Sequence, residues 1–375
     1  MALNVQPTDA AAGAAASSTS KLIPFRWGTR QRYRPVQTVT VTPGTSVSPP
    51  IGLQQVGFLN NIDLMLQSVP GALGFTTGAN APVLAGNRRW PASLFGRLQL
   101  ALNTGAATII DVPGEQLEFI NWLLQRSYNP TISTDADTYS AIYNNANTTN
   151  KVAARYRLPV AANDANDFTV GMLMLQSQQV VLNVNILWQS LGNIFSANAP
   201  TVAAGGAPNL DVHETVYAAP NPAKVALPAP SLHRIMETQY PLLNLGDNII
   251  TLPREGKLLR LYLQVVLNGA FDQNNYVDYV KVRLNDVSEP YSFTRQKLKA
   301  LAIERYGMTF PPGWYVIDLW YANHQPAQGD QRDVIDTSAF STTQLTINID
   351  SAATLGLNAY VSVCREFLQF PTRTA

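Results

Sequence analysis

The stretch YVKVRLNDVSEPYSFTRQKLKALAIERYGMTFPPGWYVIDLWY, Tyr279 to Tyr321, carries the fold of this chain in brief. It reads as strand, helix, strand. Val280, Val282 and Leu284 alternate with Tyr279, Lys281 and Arg283, the period of two that a strand with one buried face needs. Phe293, Leu298, Leu301, Ala302 and Arg305 then follow helical spacing, which predicts a helix from Ser292 to Tyr306. Gly307 stands where a helix ends in a left-handed residue. Pro311, Pro312 and Gly313 forbid further helix. From Trp314 to Tyr321 the positions on both faces are β-branched or aromatic apart from Asp318 and Leu319, which predicts a strand covered on both faces. Such two-sided strands, in a chain of low charge, point to a surface buried against neighbours.

The same unit occurs earlier. FGRLQLALN, Phe95 to Asn103, puts Leu98, Leu100 and Leu102 on one face. A helix is expected from Glu115 to Arg126, with Leu117, Ile120 and Leu124 on one stripe and an acidic first turn that suits the helix dipole. After a polar loop, Val152 to Val160 reads as a strand again. Two copies of one supersecondary unit, well separated in sequence, predict two similar domains.

Bulk properties fit this. A chain of 375 residues has ample length for two cores. Charged residues make up only 14% and the net charge is +1, which argues against a general polyanion binder. The charge is unevenly placed, since Lys21, Arg26, Arg30, Arg32 and Arg34 against Asp9 give the first forty residues +4, leaving −3 for the rest. The single cysteine, Cys364, excludes an intrachain disulfide and a four-cysteine zinc site. No apolar stretch reaches the roughly 18 to 20 residues that span a bilayer, and the N-terminus has no apolar run of the kind found in a secretory leader.

Along the chain, residues 1–35 read as a flexible basic arm. Its first twenty residues are rich in Ala, Ser and Thr, and Lys21 to Pro35 interleaves five basic residues with Phe25, Trp27 and Tyr33. Two roles suit it, a linker packed on the first domain or an arm lying on a membrane surface or a neighbouring subunit; the second is preferred because no periodicity ties it to a core. Lys21, Phe25, Arg26, Trp27, Arg30, Arg32, Tyr33 and Arg34 are the expected contact residues. Residues 36–219 then read as a first domain of alternating strands. Four prolines within Pro220 to Pro230 cannot continue a sheet, so 220–230 is expected to be a linker. Residues 231–375 repeat the grammar, with Leu259, Leu261, Leu263, Val265 and Leu267 on one strand face and Leu345, Ile347 and Ile349 on another. About eight short strands per half, few helices and long loops predict an all-β chain of two consecutive eight-stranded jelly rolls.

No catalytic, cofactor or metal site is expected. Asp211 and His213 share a strand face, but nothing near in sequence completes a ligand set. His233 and His324 are isolated, and no Ser or Cys sits in a nucleophile elbow. Asp318, inside an apolar strand, must find a partner if buried, and an arginine of the preceding helix is the expected one.

The run RLPVAANDANDFTVGMLMLQSQQVVLNVNILW, Arg157 to Trp188, resembles the close of the first jelly roll in tectivirus-like major capsid proteins. FPPGWYVIDLW and LTINIDSAATLGLNAYVSVCREF resemble the end of the second. The order of elements, from about residue 36 onward, carries the likeness more than identities do. The resemblance implies a double jelly-roll major capsid protein that forms homotrimers of pseudo-sixfold outline. These would tile an icosahedral shell over an internal lipid membrane, which the arm would contact. Neighbouring trimers and minor capsid and vertex proteins would be its partners, in a virion assembled in the host cytoplasm. No specific nucleic-acid binding is implied. The alternative is a jelly-roll receptor- or glycan-binding module, which would favour a compact aromatic or metal-bearing loop cluster. A cupin-like or carbohydrate-active enzyme would need a His-rich strand or paired carboxylates, and three scattered histidines do not supply one.

Overall fold

Alternating apolar residues drive sixteen strands into two sandwiches. The computed structural model describes residues 22–44, 49–54, 56–68, 74–76, 78, 80, 82–102, 107–124, 149–150, 152–162, 170–175, 181–228, 231–285, 288–320 and 334–369. The first roll contains β1 (Gln31–Thr40), β2 (Ile51–Gly52), β3 (Gly57–Gln67), β4 (Phe95–Leu102), β5 (Ala107–Val112), helix α1 (Gly114–Leu124), β6 (Ala153–Pro159), β7 (Leu182–Trp188) and β8 (Asn209–Tyr217). Its sheets run β1-β8-β3-β6 and β2-β7-β4-β5.

The second roll contains β9 (Leu232–Pro241), β10 (Gly246–Thr251), β11 (Lys257–Leu267), β12 (Val277–Leu284), β13 (Ser288–Thr294), helix α2 (Arg295–Tyr306), β14 (Trp314–Asp318), β15 (Thr343–Ile349) and β16 (Tyr360–Gln369). Its sheets run β9-β16-β11-β14 and β10-β15-β12-β13. In both rolls one sheet orders its strands first, eighth, third, sixth and the other second, seventh, fourth, fifth. Both are eight-stranded jelly rolls, and among the described residues the helices longer than a single turn lie between the fifth and sixth strands.

The repeated unit is therefore longer than the periodicity suggests. A return strand, β5 or β13, lies between the first strand and the helix of each copy. Ala107–Val112 is short, and Ser288–Thr294 contains Pro290, which an interior strand could not hold but an edge strand tolerates. Phe293 belongs to this strand, not to the helix. Helix α2 begins at Arg295, where the Thr294 hydroxyl caps the Lys297 N–H at 3.3 Å, and it ends at Gly307 with φ +68. Its buried stripe is Leu298, Ala302 and Tyr306, while Leu301 is only half-buried. Leu298→Ala is accordingly expected to lower stability by about 2–5 kcal/mol and Leu301→Ala by clearly less, read from denaturant midpoints. Equal effects would contradict this placement.

The expected two-sided strand exists as β14, shorter than predicted and buried at all five residues. Tyr315 and Ile317 enter the core of their own roll, whereas Trp314 and Val316 face the first roll. Strand β11 is divided the same way, with Leu261, Leu263 and Val265 inward and Tyr262 and Val266 toward the first roll. Burial on both faces thus comes from within the chain, not from a neighbour.

Candidate functional site: the joint between the rolls and the basic segment before them

Strand β5 is an edge of the first roll and β9 an edge of the second. They pair in parallel, Ile110 opposite Ile235 and Asp111 opposite Met236, so one sheet of each roll fuses into a single sheet of ten strands, counting the two short strands Ala270–Phe271 and Ile335–Asp336 that pair with β11. Helix α1 fills the angle between the rolls. Its Phe119 ring lies 4.3 Å from that of Trp314 and 6.4 Å from that of Tyr262, and Gln116 Nε2 donates to Ser362 Oγ at 3.1 Å. Ser362 in turn donates to Glu237 at 2.6 Å, and Arg97 bridges Asp111 and Glu237 at 2.5 Å each. Dipole complementarity is only part of the role of the two helix glutamates. Both are buried, Glu115 pairs with Arg88 at 3.2 Å and Glu118 with Arg89 at 2.7 Å. Burial nonetheless pushes the Glu118 carboxyl above its ordinary pKa, against the pull of Arg89.

Beside this contact a row of ionic side chains crosses four adjacent strands on the face turned to the first roll. Arg260 on β11 meets Glu366 on β16 at 2.9 Å and Asp318 on β14 at 3.2 Å. Tyr262 donates to Glu366 at 2.5 Å, the Tyr306 hydroxyl donates to Asp318, and the Trp320 N–H donates to Asp318 at 3.0 Å. His233 on β9 faces Glu366 at 2.9 Å through Nε2 and the carbonyls of Pro159 and Val160, both in the first roll, at 3.2 Å through Nδ1. Gly171, at φ +80, lies so close that a Cβ would stand 2.4 Å from the His233 Cβ, so the first roll admits no side chain here.

Burial would raise the Glu366 pKa, but Arg260, then the His233 and Tyr262 hydrogen bonds, hold it well below the usual carboxylate range. Burial and the facing carboxylates push Tyr262 and Tyr306 well above the ordinary phenol value. Cys364, in the same interior, is likewise raised by burial and then by Glu237 and Glu366, so it is an inert buried thiol rather than a nucleophile. These groups are closed off from solvent, and their chemistry is cohesion. Asp318 is therefore paired: Arg260 of a neighbouring strand meets its carboxylate at 3.2 Å, and the helix arginine Arg305 donates to its main-chain oxygen at 2.7 Å. His233 is a member of this cluster, not an isolated residue. His213 stacks on Tyr33 at 4.8 Å, and Asp211 accepts from Thr38 and Gln67. Among the described residues no group of three or more His, Cys, Asp or Glu is placed to hold a metal ion, and His324 lies outside them.

The expected arm is partly built into the first roll. Strand β1 begins at Gln31, so residues 31–35 pair with β8, and Arg34 comes within 3.8 Å of the buried Glu214. Phe25, in a helical turn at Phe25–Gly28, is buried with Phe58, Met172 and Val225. Packing onto the chain's own core thus buries Phe25, while Arg34 is half-buried beside Glu214. Trp27, 79% exposed, and Arg30, Arg32 and Tyr33 remain on the surface. Lys21 lies outside the described residues, as does the side chain of Arg26. Among the described residues no helix is long and apolar enough to cross a membrane.

No protein-family model matches the chain, and no curated protein does. Solved structures match over nearly its whole length. The crystal structure of the STIV MCP superposes with a TM-score of 0.65 at 14% identity, covering 92% of this chain and 99% of that one. A chain of the atomic structure of Sulfolobus Turreted Icosahedral Virus gives 0.61 at 14% identity over 91% of each. The PBCV-1 virus capsid gives 0.57 at 12% identity, covering 91% and 94%. With the strand order derived above, these likenesses establish that the chain has the double jelly-roll fold of viral major capsid proteins.

Proposed function

We propose that the chain is itself a major capsid protein, assembling as trimers of pseudo-hexagonal outline into an icosahedral shell. The supporting observation is the fixed pair of like rolls. Three copies around an axis present six similar wedges, so one building block packs hexagonally, and a heterologous contact that closes yields a ring. In this reading residues 31–219 and 231–375 form the two halves, the first beginning at the start of β1 rather than at residue 36, with 220–230 between them; the role is structural rather than catalytic, and neighbouring trimers and vertex proteins are the partners within a virion assembled in the host cytoplasm. The contact between copies is of the permanent class, above about 2,000 Å² in total. Light scattering after size exclusion is expected to give the mass of three chains, with hexagonal particles in negative stain. A folded monomer or dimer at micromolar concentration would overturn the trimer and favour a binding module.

The segment before β1 is proposed to face an anionic membrane inside the shell through Trp27, Arg30 and the residues preceding them, the aromatic in the interfacial zone and each cation adding about 1 kcal/mol. Because residues 31–35 belong to the first roll, the test leaves them intact. Trimers are expected to float with anionic liposomes in a salt-sensitive way, and Trp27→Ala/Arg30→Gln with residues 1–21 removed is expected to abolish this. Equal flotation of both forms, or of neither, leaves a clamp on the neighbouring capsomer instead.

A further inference from the structure

Each roll has two edge strands of one kind, its first and its fifth. Inside the chain one such combination is joined, the fifth strand of the first roll (β5) with the first strand of the second (β9). The matching combination is left over. Among the described residues β13 pairs only with β12, and β1 only with β8. Helix α2 repeats the contrast. Its counterpart α1 is buried at every described side chain except Trp122, which is half-buried, because the second roll covers its far side. On α2, by comparison, Gln296, Lys297, Lys299 and Ala300 are exposed, and Ile303 is 53% exposed.

We infer that β13 and α2 of one copy dock on β1 and the outer face of the first roll of the next, repeating between chains the joint found within the chain. This rests on the three-copy assembly proposed above and assigns its contact surface. Residue correspondence fixes the register. Both third strands carry a bulge, at Asn60 opposite Thr215/Val216 and at Leu259 opposite Glu366/Phe367. Thr215 therefore corresponds to Glu366 and, one strand over, Tyr33 to Ile235 and Arg34 to Met236. In the fifth strands Ile110 and Val112 sit opposite Leu100 and Leu98, as Tyr291 and Phe293 sit opposite Val282 and Val280. In each roll the helix starts two residues after the later member. Where Ile110 meets Ile235 inside the chain, Tyr291 of one copy meets Tyr33 of the next, and Ser292 meets Arg34.

The side chains suit that contact. Tyr291 is stacked on Phe293 at 6.2 Å and Tyr33 on His213 at 4.8 Å, so two aromatic pairs come edge to edge. The outer face of the first roll holds Asp63, Arg157 and Arg155, ion-paired at 2.9 Å, where the second roll has Tyr262, Val316 and Trp314. A face that meets water before assembly is thereby polar, whereas its counterpart, covered as the chain folds, is apolar. Asp211 on this face accepts only from the neutral groups of Thr38 and Gln67, and Lys297 and Lys299 of α2 bring it cations. Pro35 and Pro290 flank the paired residues and confine the ladder to a short run, which keeps either edge from adding strands without limit.

The test is a Ser292→Cys/Arg34→Cys chain, oxidised after assembly. A covalent species of three chains on a non-reducing gel is expected in more than half of the protein, and none from Ser292→Cys/Thr40→Cys, whose second position lies at the far end of β1. Particles with the mass of three chains that do not cross-link would overturn this interface while leaving the trimer standing; a monomer would overturn both. Because Arg34→Cys removes the cation beside Glu214, the unaltered chain supplies a second measurement. In hydrogen exchange on the assembled protein, amides of 288–294 and 31–35 are expected to exchange within tenfold of interior strand β12. Exchange as fast as that of the exposed turns overturns the proposal.

Discussion

Arg260→Met is expected to remove about 3–5 kcal/mol of stability at neutral pH, the cost of leaving a buried charge without its partner. Arg260 is the only guanidinium between Glu366 and Asp318 in the described row, and both carboxylates are almost wholly buried. The loss should depend on pH in a defined sense. Glu366 has its folded pKa below the unfolded value, so its contribution is present above the ordinary carboxylate pKa and disappears as the pH falls through the folded one. Without Arg260 the largest of the lowering influences is gone, and burial makes the Glu366 carboxylate take up a proton on folding. The deficit of the variant therefore shrinks as the pH falls toward 4.5. Denaturant unfolding at the two pH values checks this, and a loss under about 1 kcal/mol at pH 7 would mean that the row does not stabilise the second roll.

The second large effect is expected at Phe119. This ring is 3% exposed and touches Trp122, Tyr262, Phe310 and Trp314, which brings both rolls onto one side chain. Phe119→Ala should cost about 3–5 kcal/mol, from lost transfer energy and the cavity left behind. Its location adds a qualitative readout. A single calorimetric transition in the parent chain is expected to separate into two as the rolls lose their shared ring cluster. One unchanged transition at an unchanged temperature would show that α1 is not the wedge between the rolls.

Both effects arise where sequence patterns were least informative. Alternation at Val280, Val282 and Leu284, the helix stop at Gly307 and the two-sided run at Trp314 were legible because each is set by a few adjacent residues. Strand β13 was not, because Pro290 interrupts its pattern and Phe293 suits a helical stripe as well as a strand. The ionic row was beyond reach for a different reason. His233 and Glu366 are 133 positions apart, and only the sheet order places β9 beside β16. Asp318 signalled that it needs a partner, but the meeting of its carboxylate with Arg260 follows from the register of β11 with β14. The basic segment was legible in composition and not in position. Nothing local distinguishes Arg34, turned toward the buried Glu214, from Arg30 and Arg32 on the surface.

The parallel rung between β5 and β9 has a mechanical consequence. Two rolls linked only by a peptide would swing, and relative motion is the default for neighbouring domains with a modest interface. Here main-chain hydrogen bonds, an aromatic wedge and the Arg97 bridge from Asp111 to Glu237 all cross the same seam. The angle between the rolls is thereby set when the chain folds, and no hinge remains inside the tile. In the shell proposed above, a closed surface built from such rigid units takes its whole curvature at the contacts between copies, so particle size is set there.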